Sequence, residues 1–98
     1  MTMVENARSG ATLDLALIGQ ALTVHYVQTS PVAPEWARWL EEIGFIAGER
    51  VMLMARGLPG GDPLVVRIGQ STFALRQAEA ACVRVTPMDA AYLEDSKP

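Results

Sequence analysis

The chain has 98 residues, enough for one domain with a single hydrophobic core and too few for a core plus a deep catalytic cleft. Half of the residues are hydrophobic and only 19% are charged, against ~25% in typical soluble domains, which excludes wholesale disorder. The formal net charge of -3 offers no general basic stripe, so nucleic acid is not expected as a partner.

Residues 1–12 and 88–98 are small, polar or proline-interrupted and read as frayed termini, leaving a folded unit over residues 13–87. Leu13, Leu15, Leu17 and Ile18 precede Gly19-Gln20, a turn signal. Ala21 to Gln28 reads as a strand, with Leu22, Val24 and Tyr26 on one face and Thr23 and His25 on the other. Ser30-Pro31 ends it. Pro34 to Ile43 is the strong helix candidate: Pro34 suits its first turn and Gly44 its left-handed C-terminal position. Trp36, Leu40 and Ile43 form one apolar stripe, Glu41 and Glu42 lie opposite, and Trp39 falls beside the stripe.

After Phe45-Ile46-Ala47-Gly48 the period changes to two. Arg50 to Arg56 alternates Val51, Leu53 and Ala55 on one face with Met52 and Met54 on the other. The glycine- and proline-rich stretch from Gly57 to Pro63 is a turn, followed by a strand over Leu64–Ile68, a hairpin connection at Gly69-Gln70-Ser71 and a strand over Thr72–Arg76. Gln77 to Ala81 fits one helical turn, and Cys82–Thr86 a last strand. The expected fold is therefore mainly β: a small closed or half-open barrel of about five short strands, with one α-helix between the first and second strands.

Little in this pattern carries chemistry. Cys82 opens an apolar strand and reads as a packing residue rather than as half of a Cys–His dyad. There is no Gly-x-Ser-x-Gly elbow, and the glycines of 57–61 lack the Lys-Ser/Thr of a phosphate loop. Adjacent Glu41 and Glu42 point about 100° apart on a helix and read as a solvated face. No enzyme is expected. A lone cysteine forms no intramolecular disulfide, which suits a reducing compartment. The N-terminal stretch shows no basic-then-apolar leader, and Asp14, Gln20 and His25 interrupt the apolar window from Leu13 to Val27. A cytoplasmic protein without direct membrane insertion is expected.

Two binding readings remain open. His25, on the polar face of its strand, reads first as an ordinary exposed histidine, and as the alternative it would hold a divalent ion weakly with a nearby carboxylate (Glu35, Glu49 or Glu79), short of the four ligands of a closed zinc site. Trp39, Ile46, Met52 and Met54 lie off the main apolar stripes, and a barrel this small leaves some of them outside its core. Exposed apolar residues of these types mark protein contacts, with a partner or with a second copy of the chain. Arg56, Arg67, Arg76 and Arg84 on the late strands are the residues a nucleic-acid barrel would use, a reading ranked last.

The run from Trp36 through Ala37-Arg38-Trp39-Leu40-Glu41-Glu42-Ile43-Gly44-Phe45 to Gly48 and Val51 resembles the helix-to-strand passage of the ferrous iron transport protein A (FeoA) family. Gly61-Asp62-Pro63-Leu64 and Ala74-Leu75-Arg76-x-x-Glu79-Ala80 resemble its second signature, and the likeness extends from about Leu13 to Val85. Ala47 stands where the family usually has proline, Gly69 comes one residue early, and Trp39 replaces an aliphatic residue. The resemblance implies an SH3-like barrel and a small cytosolic accessory of bacterial ferrous iron uptake. It further implies docking on the membrane ferrous iron permease that carries a GTP-binding domain, with peripheral attachment to the inner membrane through that partner. No cofactor is required on this reading. The second reading is a divalent-metal-responsive regulatory domain, with iron or zinc at His25.

Overall fold

The computed structural model describes residues 11–58 and 60–88. The segments 1–10 and 89–98, within the stretches expected to be frayed, lie outside the described residues. The strands are β1 (Leu22–Val27), β2 (Arg50–Arg56), β3 (Leu64–Ile68), β4 (Ser71–Leu75) and β5 (Val83–Pro87), with helix α1 (Glu35–Glu42) between β1 and β2 and a single turn, α2 (Gln77–Ala80), before β5. A short 3-10 turn over Leu13–Leu15 precedes β1.

All five strands form one antiparallel sheet in the order β4-β3-β2-β1-β5. Of the two architectures open to a chain of this pattern, the half-open one is adopted, because β4 and β5 are the edges and do not pair with each other. Ala11 and Thr12 shield part of the β5 edge: the Val85 N–H donates to the Ala11 carbonyl at 3.1 Å, and Thr12 forms an isolated bridge to Arg84.

Helix α1 begins at Pro34, whose φ of -62° already suits a helix and whose missing N–H would have no partner there. It ends in a Schellman arrangement. Gly44, at φ +123°, donates its N–H to Glu41 O, and Phe45 donates to Leu40 O at 2.9 Å. Leu40 and Phe45, the hydrophobic pair that accompanies this motif, are both fully buried. The helix therefore stops, turns and plugs the core within three residues. The β3–β4 hairpin turns on two residues, Gly69-Gln70, so β4 starts at Ser71, one residue before the position expected from sequence. Gly69 has φ +58° and Gln70 does not share a positive φ, as in a type II′ turn.

The core gathers the inward residues of every strand, among them Leu22, Val24, Val51, Leu53, Leu64, Val66, Leu75, Val83 and Val85, under Leu13, Leu40 and Phe45. Two bulges break the expected alternation. In β1 the register to β5 slips between Val24 and Tyr26, so Val27 turns toward the core and Tyr26, expected inward, is exposed beside His25. In β2 the register to β3 slips between Leu53 and Ala55. Ala55, expected inward, is exposed, and Arg56 is turned back until it is half-buried.

Candidate docking surface

The four residues singled out for partner contact are carried by different elements. Trp39 lies on α1 with 38% of its surface exposed, and Ile46 in the turn after it with 56% exposed. That turn is anchored to β1: Gly48 N donates to Val24 O and Val24 N to Glu49 O, at 2.8 and 2.9 Å. Met54 is exposed on the outer side of β2, whereas Met52 is only half-buried because it lines a cavity at one end of the sheet. Trp36, read as core from sequence, is half-buried and lines a shallow groove of about 500 Å³ together with Val32 and Cys82.

Further exposed apolar residues lie before β1. Leu15 and Leu17 are more than two-thirds exposed and Ile18 more than half, because the 3-10 turn buries only Leu13. The turn that follows is held against β2 by Gly19 N, which donates to Leu53 O at 2.9 Å, one residue from Met54. Nothing in the sequence separates the buried Leu13 from the exposed Leu15, Leu17 and Ile18 that follow it.

His25 is exposed at the β1 bulge, edge-on to Tyr26 with ring centroids 5.0 Å apart. Among the described residues no three His, Cys, Asp or Glu side chains come together in a way that could hold a metal ion. The Cys82 thiol donates to Ala78 O, and burial, followed by the charges of Glu79 and Asp14, raises its pKa. A thiol kept protonated is a poor nucleophile. The arginines of the nucleic-acid reading lie on different elements. Arg56 donates to the carbonyls of Asp14 and Ala16, Arg84 donates to Gln28 Oε1, and Arg67 borders the cavity beside Met52. Among the described residues no helix is long and apolar enough to cross a membrane.

Comparison with known proteins agrees with this architecture. A sequence model of the FeoA domain matches residues 11–87. No curated protein sequence matched the chain. Among solved structures, the crystal structure of Stenotrophomonas maltophilia FeoA complexed with zinc, a prokaryotic SH3 domain protein, is 41% identical over 83% of this chain and 92% of its own, with a TM-score of 0.70. Iron(II) transport protein A from Clostridium thermocellum is 26% identical, covering 81% of this chain and 46% of its own, with a TM-score of 0.68. A manganese-dependent transcriptional repressor shares 25% identity over 79% of this chain and 41% of its own, at a TM-score of 0.66. With a mainly β, SH3-like fold and a domain match spanning nearly all of the described residues, the chain belongs to the FeoA family, which is associated with ferrous iron transport.

Proposed function

We propose that the protein is a cytoplasmic accessory of ferrous iron uptake that acts by docking on the cytosolic, GTP-binding part of the membrane ferrous iron permease. The observation that carries this reading is the set of large apolar side chains left outside a complete core in a domain of this family: Trp39, Ile46 and Met54, with Leu17 and Ile18 beside β2. Side chains of these types, rigid aromatic or adaptable thioether, are favoured at protein contacts, where a partner removes their apolar area from water. Modulation of the permease's nucleotide cycle or transport then follows from contact, without a catalytic step on this chain.

The test is association of the full chain with the permease's cytosolic domain, with and without guanine nucleotide. Trp39→Ala combined with Met54→Ala is expected to weaken binding and iron uptake together. Unchanged binding and uptake in that double variant would remove this surface from the proposal.

A second reading is favoured by the zinc held by the S. maltophilia relative. In this chain a divalent ion would be bound through His25, with water or a second copy of the chain completing its ligands. Titration with ferrous iron and with zinc tests it: stoichiometric binding lost in His25→Ala supports a metal-responsive role, and equal binding by both proteins removes it.

A further inference from the structure

The two edges of the sheet differ. Ala11 and Thr12 cover part of β5, whereas among the described residues β4 makes no backbone hydrogen bond outside its own hairpin. β4 is also regular: its pairing with β3 runs without a bulge from Leu64 opposite Leu75 to Ile68 opposite Ser71. The devices that commonly blunt an edge are missing from it. Ser71-Thr72-Phe73-Ala74-Leu75 contains no charge, no proline and no bulge, and Ser71, Thr72 and Ala74 are exposed.

The hairpin decides which backbone groups are open. In a two-residue hairpin the residues flanking the turn, here Ile68 and Ser71, exchange both hydrogen bonds, and the pattern alternates from there. The N–H and C=O of Ser71, Phe73 and Leu75 therefore face β3, while those of Thr72 and Ala74 face outward. The alternation along β3 agrees, since Gly69, next to Ile68, turns its N–H the other way and donates to Arg50 O on β2. Beyond β4, Arg76 N donates to Glu79 Oε1 at 2.8 Å, so the open edge ends at Ala74. Between the two outward-facing residues lies Phe73, half-buried against the margin of the core.

We infer that this edge pairs with the β4 edge of a second copy of the chain, antiparallel about a two-fold axis at Phe73. A strand with open groups on the residues before and after its centre is its own complement in that arrangement. Thr72 stands opposite the partner's Ala74 and Ala74 opposite the partner's Thr72, and each pair exchanges two backbone hydrogen bonds, so every open group of both edges is used. Phe73 then meets the partner's Phe73 as a non-hydrogen-bonded pair, the closer of the two spacings, which suits two aromatic rings. Shifting the register by two residues in one direction brings in Arg76, whose N–H is already bonded to Glu79, and in the other leaves the hydrogen bonds of Ala74 without a strand residue opposite. An interface of four backbone bonds and one aromatic pair is at the small, weak end of specific association, so the dimer forms with rising concentration. None of Trp39, Ile46 and Met54 belongs to β4, and the pairing stands whether or not the permease is a partner.

Amide exchange in the unaltered full chain is the first test. Exchange at Thr72 and Ala74 is expected to slow several-fold between micromolar and millimolar protein, while exchange at the exposed Val32 and Leu58 stays constant. Sedimentation over the same range should show a monomer–dimer equilibrium. Thr72→Glu with Ala74→Glu gathers four carboxylates on one face of the paired strands and is expected to raise the dissociation constant roughly tenfold. Both positions are exposed in the monomer and position 72 faces Arg67, so the fold accepts these changes. Thr72→Lys with Ala74→Lys should weaken self-association in the same way, and an equal mixture of the two variants should pair again. Trp39→Ala with Met54→Ala should dimerise like the parent. A monomer at every concentration overturns the proposal. So does a dimer in which Thr72 and Ala74 exchange as fast as in the monomer, or one that persists unchanged in both charged variants.

Discussion

The Arg56 guanidinium donates to the backbone carbonyl of Asp14 at 2.8 Å, joining groups 42 residues apart, and the same nitrogen reaches Ala16 O at 3.0 Å. Last-turn carbonyls of a short helical element have no intrahelical partner, and a side chain from β2 satisfies them here. The β2 bulge makes this contact, because without the extra residue at Met54-Ala55 the side chain of Arg56 would point to the other side of the strand. One irregularity in a strand thus fixes where the N-terminal segment packs and leaves Leu15, Leu17 and Ile18 outside.

Removing those donors should loosen the N-terminal segment specifically. A hydrogen bond from a charged group contributes about 1.5–3 kcal/mol, and Arg56 is only half-buried, so Arg56→Ala is expected to cost about 1–3 kcal/mol in urea unfolding. Arg56→Lys is expected to recover part of that, since the ammonium keeps the charge and the donors but sits on a shorter side chain. Amide exchange should accelerate at Leu15 and Ala16 well before it does at Val66. Unchanged exchange at those two amides would show that Leu13 alone holds the segment.

Helix α1 separates stability from binding in adjacent residues. Leu40 has no exposed surface and packs in the Schellman pair with Phe45, so Leu40→Ala should cost about 2–5 kcal/mol and weaken partner binding only through unfolding. Trp39 is 38% exposed and should cost about 1–3 kcal/mol when truncated, less than a fully buried tryptophan. If it is a contact hot spot, Trp39→Ala lowers partner affinity roughly 30-fold, the equivalent of about 2 kcal/mol. Calorimetric melting and binding measured on the same two variants check both halves. A Trp39→Ala protein that binds as tightly as the parent would place the contact elsewhere.

Most of the fold is legible in the sequence because its signals are local. The change of period from 3.6 to 2 between α1 and β2, the stop at Gly44 and the tight hairpin at Gly69 all lie within a few residues of sequence. The bulges are not legible: His25-Tyr26 and Met54-Ala55 are ordinary strand residues, and the slip is decided by what β5 and β3 present across the ladder. Tyr26 and Ala55 therefore lie on the opposite side from the one that simple alternation predicts. The same limit applies to the surface. Trp39, Ile46 and Met54 are exposed as their positions off the apolar stripes suggest, but Met52 is half-covered by a cavity built from four strand ends. The bond from Arg56 to Asp14 has no sequence signature, since it depends on a bulge and a turn far apart in the chain.

Gly57 is required by the close passage of the chain at the start of the β2–β3 connection. Its N–H donates to Pro63 O at 2.8 Å, and a Cβ placed there would lie 2.9 Å from both the Asp62 and Pro63 carbonyl oxygens. Those are backbone atoms that cannot swing aside. Asp62 in turn holds the next element, its Oδ1 accepting from Gln77 N at 2.9 Å at the start of α2. Gly57→Ala is expected to cost about 1–3 kcal/mol, as overpacking commonly does, and to perturb amide shifts at Gln77 as well as at Pro63's neighbours. A substitution within about 0.5 kcal/mol of the parent, the range of an unconstrained surface change, would mean that the connection relaxes freely.

Alkaline pH reads out the burial of Cys82. That burial, with the negative charges of Glu79 and Asp14 adding to it, raises the thiol above its ordinary value of 9.0. The thiol is an acid whose neutral form is favoured in the folded state, so the unfolded chain loses this proton first as pH rises. Between the unfolded and folded values the native state binds more protons than the unfolded state, and stability falls with increasing pH. The contribution is constant across neutral pH and is lost in the alkaline range above about 9. Unfolding free energies measured from pH 7 to pH 10.5 should decline more steeply for the parent than for Cys82→Ala. Alkylation by iodoacetamide at pH 8 should be many-fold slower in the folded chain than in urea, since the thiolate is the reacting species and the folded state suppresses it. Equal alkylation rates in the two states would show that Cys82 is reached through frequent local opening of the short turn α2, where its thiol is bonded to Ala78 O.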